Sequence, residues 1–307
     1  MEQSMYHTIN EILEDVAAGR LTPEQADLEI EKLNAENSTV TDAQGIPFEN
    51  YETIDEADEE PAQDSASSAK KSRGSVSGIF GGNIDFDVEH GISGIIGGSI
   101  GENVHIGGSV TGPLGGGIRN GVRIDGGFSG PMGSGIGQNV RIGGSVSGPI
   151  GGKIGRGTCI DGNVSGAIGG SVEEDVEIHG NLSGAVGGKM SGHVYGNVNG
   201  AIGGDMNGII DGDYKGVIGG DLNGSVAGDV GTPLRKMHKV IKGDLNGHVG
   251  GSVYGKIMGD VTGTVDGNVT AIYGNIMEGA VIKGRVDYLH KKNYGTVLGG
   301  IVKMRKA

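Results

Sequence analysis

Eight histidines, one cysteine and a recurring "GDMNG"/"GDLNG" element are the residues of this chain whose types invite a chemical reading. Histidines that converge between neighbouring turns of a repeat are the usual way such a chain holds a metal ion. His7, His90, His105, His179, His193, His238, His248 and His290 fall at different offsets within the repeat described below, so no histidine ladder and no metal centre is expected. Cys159 stands between Thr158 and Ile160, in a column whose other members are His105, Arg123, Arg141 and Glu177. That setting predicts a tolerated surface thiol, not a nucleophile. Asp205, Asp221 and Asp244 suggest calcium by residue type, but the G-G-x-G-x-D calcium repeat is absent and Asp and Asn favour turns in their own right. Glycine-rich matches to phosphate loops lack the strand-then-helix context that gives them meaning. The expectation is a protein without catalytic, cofactor-binding or metal-binding residues, and without enzymatic activity.

The elements that carry these residues fall into two pieces of different composition. Residues 1–73 hold 18 acidic and 5 basic side chains, most of the chain's net charge of −14, and only Gly19 and Gly45 of its 66 glycines. A single cysteine rules out a disulfide framework and fits a reducing compartment. The start "MEQSMYHTINEILEDV" has acids where a secretory signal would carry bases, and no apolar run reaches the length of a membrane span. A soluble, cytoplasmic protein is expected, with no membrane contact indicated. The acidic balance and the lack of a basic stripe argue against nucleic acid.

Residues 1–37 predict a helical hairpin. Thr8 and Glu11 form a capping box, and Ile9, Ile12, Leu13 and Val16 make one apolar stripe. Gly19 ends the first helix, and Thr22 with Pro23 restarts the second. So short a hairpin cannot bury its own core and is expected to dock on a protein partner, a copy of itself or the rest of the chain. Residues 38–73, including "ENYETIDEADEEPAQDSASSAKKSR", are acidic and aperiodic and predict a disordered tether.

From residue 74 the chain repeats. The apolar residues before successive Gly-Gly pairs are Phe80, Ile96, Leu114, Met132, Ile150, Ile168, Val186, Ile202 and Ile218, at intervals of 16 or 18. After "RKMHKV", an insertion near 235–240, the pattern resumes at Ile241, Ile257 and Tyr273. Within each unit the apolar residues are an even number of positions apart, which is the alternation of a strand. Units this short hold only brief strands, so the chain turns several times per repeat, with glycine at the corners. The fold class expected is therefore all-β: a β-solenoid of about twelve coils over 74–285, its aliphatics stacked in ladders. Residues 286–307, rich in Lys and Arg, predict a basic closing cap. In the longer coils "IGENVHI", "IRNGVRI", "IGQNVRI", "IGRGTCI" and "VEEDVEI" share one order of residues and resemble the hexapeptide unit of triangular β-helices.

The residue before each alignment point has exterior parity yet is almost always apolar: Ile79, Ile95, Pro113, Pro131, Pro149, Ala167, Ala185, Ala201, Val217, Pro233, Val240 and Ile272, with Lys256 the exception. Pro and Ala suit a corner, but the bulky members do not need to be there, and a continuous apolar strip marks an interface. These twelve positions are the candidate docking strip.

The long, near-neutral, glycine-rich solenoid with a polar terminal segment resembles the bactofilin (polymer-forming cytoskeletal) family and related bacterial glycine-rich β-repeat proteins, over roughly residues 75–285. The resemblance implies a non-enzymatic cytoplasmic scaffold that assembles with itself through its rods. The period-four coils and the N-terminal hairpin depart from that family. The alternative is a phage or surface fibre that trimerises and binds a receptor, and an acyltransferase of the hexapeptide class stands third.

Overall fold

The structure, a computed structural model, describes residues 72–233 and 238–304. The expected hairpin over 1–37 and the tether over 38–71 lie outside the described residues. Ser72–Arg73, expected in the tether, form a strand that pairs in parallel with Asp87–Val88.

Alternation builds a β-solenoid of about thirteen turns, all of whose strand pairs are parallel. The strands line up as a 14-stranded sheet, a 5-stranded sheet and a 6-stranded sheet, with isolated bridges filling the gaps between them. Each coil has four short sides separated by bends. In the coil from Met190 to Met206, Met190, Val194, Val198 and Ile202 point inward, and the chain bends at Gly192, Gly196, Gly200 and Gly204. The inward residues stack coil upon coil. One ladder runs Ile84, Ile100, Ile118, Ile136, Ile154, Val172, Met190, Met206, Leu222, Leu245, Val261 and Ile276, and ends at the exposed Asn293. Val172, Met190 and Met206 are at most 1% exposed, as the parity argument requires. The interior is one unbroken aliphatic column, with Phe128 and Tyr214 its largest buried members.

Polar side chains hold the corners. Where the chain bends, an amide N–H that no carbonyl of the coil below can reach is taken by a side-chain oxygen of that coil. Asn197 N–H donates to Asn181 Oδ1 (2.8 Å), Asp213 N–H to Asn197 Oδ1 (2.8 Å) and Asp229 N–H to Asp213 Oδ1 (3.1 Å). The "GD[ML]NG" aspartates do the same two corners on: Asp221 N–H donates to Asp205 (3.1 Å) and Asp244 N–H to Asp221 (2.7 Å). Their recurrence is thus explained by backbone satisfaction.

Two expectations need correction. The stack has about thirteen turns, not twelve. It does not close at residue 285: Val286–Leu289 pairs with the preceding coil and Ile301–Met304 pairs with Val286–Leu289, so 286–304 are further turns. Between Val230 and Ile241 the spacing changes as well: ladder partners there lie 23 residues apart instead of 16.

Candidate functional site

Two surfaces collect the residues of interest. The first is the apolar strip. Each strip residue sits next to an inward ladder residue, so the rise between coils sets the strip's spacing. Ile79 and Ile95 are 49% and 41% exposed. Pro113, Pro131, Pro149, Ala167, Ala185 and Ala201 are exposed and Val217 is half-buried. Beyond the inward ladder runs a glycine column (Gly81, Gly97, Gly115, Gly133, Gly151, Gly169, Gly187 and Gly203), all exposed. Across the neighbouring bend runs Ser77, Ser93, Thr111, Ser129, Ser147, Ser165 and Ser183. From Ile79 to Ala201 these three columns contain no charged side chain.

The last three strip positions fare differently. Pro233 is exposed but belongs to the insertion, outside the column. Val240 does follow Val217 in the column, since Ile218 pairs with Ile241, but it is only 4% exposed. It lies against Gly231 and Gly255 and helps line a recess with Lys215, Val217, Thr232 and His238. Ile272 is a core residue: it pairs with Ile257 and Leu289, while Ala271 takes the place in line with Lys256 and Tyr288 and is itself only 6% exposed. The cause is a register shift between Val253 and Lys256, which drops one residue from the coil and exchanges inside for outside beyond it. Lys256 also interrupts the column, its ammonium 5.4 Å from the Tyr273 ring. The strip is therefore continuous over nine coils, Ile79 to Val217.

The second surface is the charged side that carries the 14-stranded sheet. Its histidines pair with aspartates: His105 with Asp125 (2.9 Å), His193 with Asp211 (3.0 Å) and His248 with Asp266 (3.4 Å). Those three histidines share one exterior column but lie five and three coils apart, so they do not converge. Arg123 adds a second contact to Asp125 at 2.7 Å, and the His105 contact is the larger cause holding the Asp125 carboxyl below its usual range. On Asp266, Lys283 at 2.9 Å is the main cause of the same downward shift.

Midway along this side Cys159, Asp161, Glu177 and His179 meet. Cys159 and Glu177 are register partners in adjacent coils. The donor atoms of Cys159, Glu177 and His179 all lie within 4.8 Å of one another. His179 Nδ1 is 3.0 Å from Asp161 Oδ1, and its Nε2 is 3.6 Å from Glu177 Oε2. Cys159 Sγ is 3.4 Å from Asp161 Oδ1. Arg141 donates to Asp161 Oδ2 at 2.7 Å, and its other terminal nitrogen is 3.7 Å from the sulfur. Partial burial, then the Asp161 carboxylate, pushes the thiol's pKa up. Sequence reasoning missed this group because it sought like residues in one column. The signal present was the 18-residue coil itself, which sets Cys159 against Glu177 and Asp161 against His179.

Among the described residues no helix is long and apolar enough to cross a membrane. Compared with protein-family models, curated proteins and solved structures, the chain finds no match.

Proposed function

We propose that this protein is a non-enzymatic structural rod that binds further copies of itself side by side through the strip from Ile79 to Val217. The observation that carries the reading is the stretch of eight consecutive coils, Ile79 to Ala201, whose strip residues face solvent and are all apolar and whose strip, glycine and serine columns hold no charged side chain. A surface kept free of charge over many repeats, beside another rich in ion pairs, favours face-to-face packing. At the usual spacing of stacked strands the strip is roughly 38 Å long, and one four-residue side is about 13 Å wide. Two such faces would bury about 1,000 Å², the lower bound of a specific interface. A second copy supplies an equally flat, uncharged face, which is why the partner is the chain itself. A cytoplasmic setting belongs to the same proposal.

Replacing Ala167, Ala185 and Ala201 together with Glu tests it. Wild-type protein is expected to form assemblies in light scattering and negative-stain images. The triple variant is expected to remain monomeric with an unchanged far-UV circular dichroism spectrum. Assembly that survives the three charges refutes the strip, and discrete trimers in the wild type would favour a fibre instead.

A further inference from the structure

The geometry points to a metal site that the residue types along any single column conceal: we propose that Cys159, Glu177 and His179 bind one divalent transition metal ion, zinc by preference. The three supply a thiolate, a carboxylate oxygen and an imidazole nitrogen, the donor set of a three-ligand zinc site with one position open to water. Hard cations such as calcium and magnesium take oxygen ligands and are not served by sulfur and nitrogen.

Their placement follows from the coil. Cys159 and Glu177 occupy the same position in neighbouring coils, so strand spacing fixes the distance between their backbones. His179 lies two residues beyond Glu177, on the same outward parity. The donors lie within 4.8 Å of one another, and His179 Nε2 and Glu177 Oε2 at 3.6 Å already match a tetrahedral zinc edge of roughly 3.3–3.8 Å, so the widest pair exceeds that edge by no more than about 1.5 Å. Glu177 and His179 are exposed, with side chains 49% and 40% accessible, so rotation about their side-chain bonds closes that gap without moving the backbone.

Surrounding groups complete the arrangement. Asp161, 3.0 Å from His179 Nδ1, is the outer carboxylate that orients a metal-bound imidazole. Arg141 neutralises Asp161 at 2.7 Å. A divalent ion bound by the Cys159 thiolate and the Glu177 carboxylate is then also charge-balanced. The Tyr195 ring meets His179 edge-on, with centroids 4.9 Å apart, and covers one side of the imidazole. Binding releases the thiol proton to solvent and leaves the metal's oxidation state unchanged.

Titration of the full-length chain with Co²⁺, followed by competition with Zn²⁺, tests the site. The expected result is one ion per chain with a thiolate-to-cobalt charge-transfer band that Zn²⁺ displaces. Cys159→Ser should abolish the band. His179→Ala and Glu177→Gln should each weaken Zn²⁺ binding at least tenfold, and Asp161→Asn on the order of tenfold. His105→Ala, on the same side but three coils from Cys159 and four from Glu177, should change nothing. Circular dichroism of every variant must match the wild type, since each substituted side chain points out of the core. Absence of the band overturns the proposal. So does unchanged affinity in His179→Ala, which would reduce the interaction to a lone thiol.

Discussion

The coils between Ile100 and Met190 and those between Met190 and Leu222 solve one geometric problem in two ways. Both must carry the chain from one ladder, at Ile100 or Met190, to the next, at Ile106 or Val194. The longer coils bulge outward. Their turn places Asn103, Gly121, Asn139, Gly157 and Asp175 in the left-handed region, φ between 54° and 69°. The chain then returns inward through Val104, Val122, Val140, Thr158 and Val176, all buried. The shorter coils omit the bulge. Gly192, Gly208 and Gly224 cut straight across, so close to the coil below that a Cβ on Gly208 would collide with the Gly192 carbonyl oxygen. An outward turn tolerates several residue types (GEN, RNG, GQN, GRG, EED), whereas a short cut accepts glycine alone. Late in the chain "IMEGAVI" reverts to the bulged form, with Gly279 at φ 86° and Ala280 buried.

The comparison is broken most directly by Gly208→Ala. A side chain there has only backbone to push against, so a loss of about 3 kcal/mol is expected, read as a lower denaturant midpoint. A loss below about 0.5 kcal/mol would mean that the short coils are not closely stacked. Asn139→Ala in a long coil should cost about 1 kcal/mol, because alanine resists the left-handed turn, while Asn139→Gly should cost almost nothing. Equal effects of the two substitutions would show that backbone conformation does not govern the bulge. The smallest effect concerns the corners. In the short coils Asp205 accepts the Asp221 N–H and lies 3.1 Å from Lys189, and these two contacts, in that order, hold its carboxyl below the usual range. A depressed folded-state value means the contribution is present above the ordinary carboxylate range and disappears as pH falls through the folded value. Thermal midpoints measured from pH 7 to pH 3 should therefore drop at the acid end, and Asp205→Asn should flatten that drop slightly. An unaltered profile would assign the corner's worth to the hydrogen bond alone.

The repeat was legible because strand alternation writes itself into letters two apart. Ile168, Val172, Val176, Ile178, Leu182 and Val186 are all spaced evenly, and all six are buried. The outward placement of the strip residues from Ile79 to Ala201 was legible by the same parity. The strip's far end was not, since Ile272 reads as exterior only if every coil has an even number of residues. The one-residue shift between Val253 and Lys256 leaves no mark in residue type. The ending at residue 285 was misplaced for a related reason: Lys291, Lys292 and Lys303 made the last turns look like a cap, although charge on outward positions leaves Val286, Leu289 and Ile301 free to continue the ladders.

By itself the sequence determined that the chain coils, which residues fill the thin interior and where the period changes from 18 to 16. These follow from local rules of alternation and glycine geometry that act within a few residues. Only the tertiary structure decided which side chains become neighbours across coils: the burial of Val240 against Gly231 and Gly255, the inversion at Ile272, and the meeting of Cys159, Glu177 and His179. Contacts between coils depend on the summed length of everything between them, and one residue gained or lost in a coil reassigns every outward neighbour beyond it.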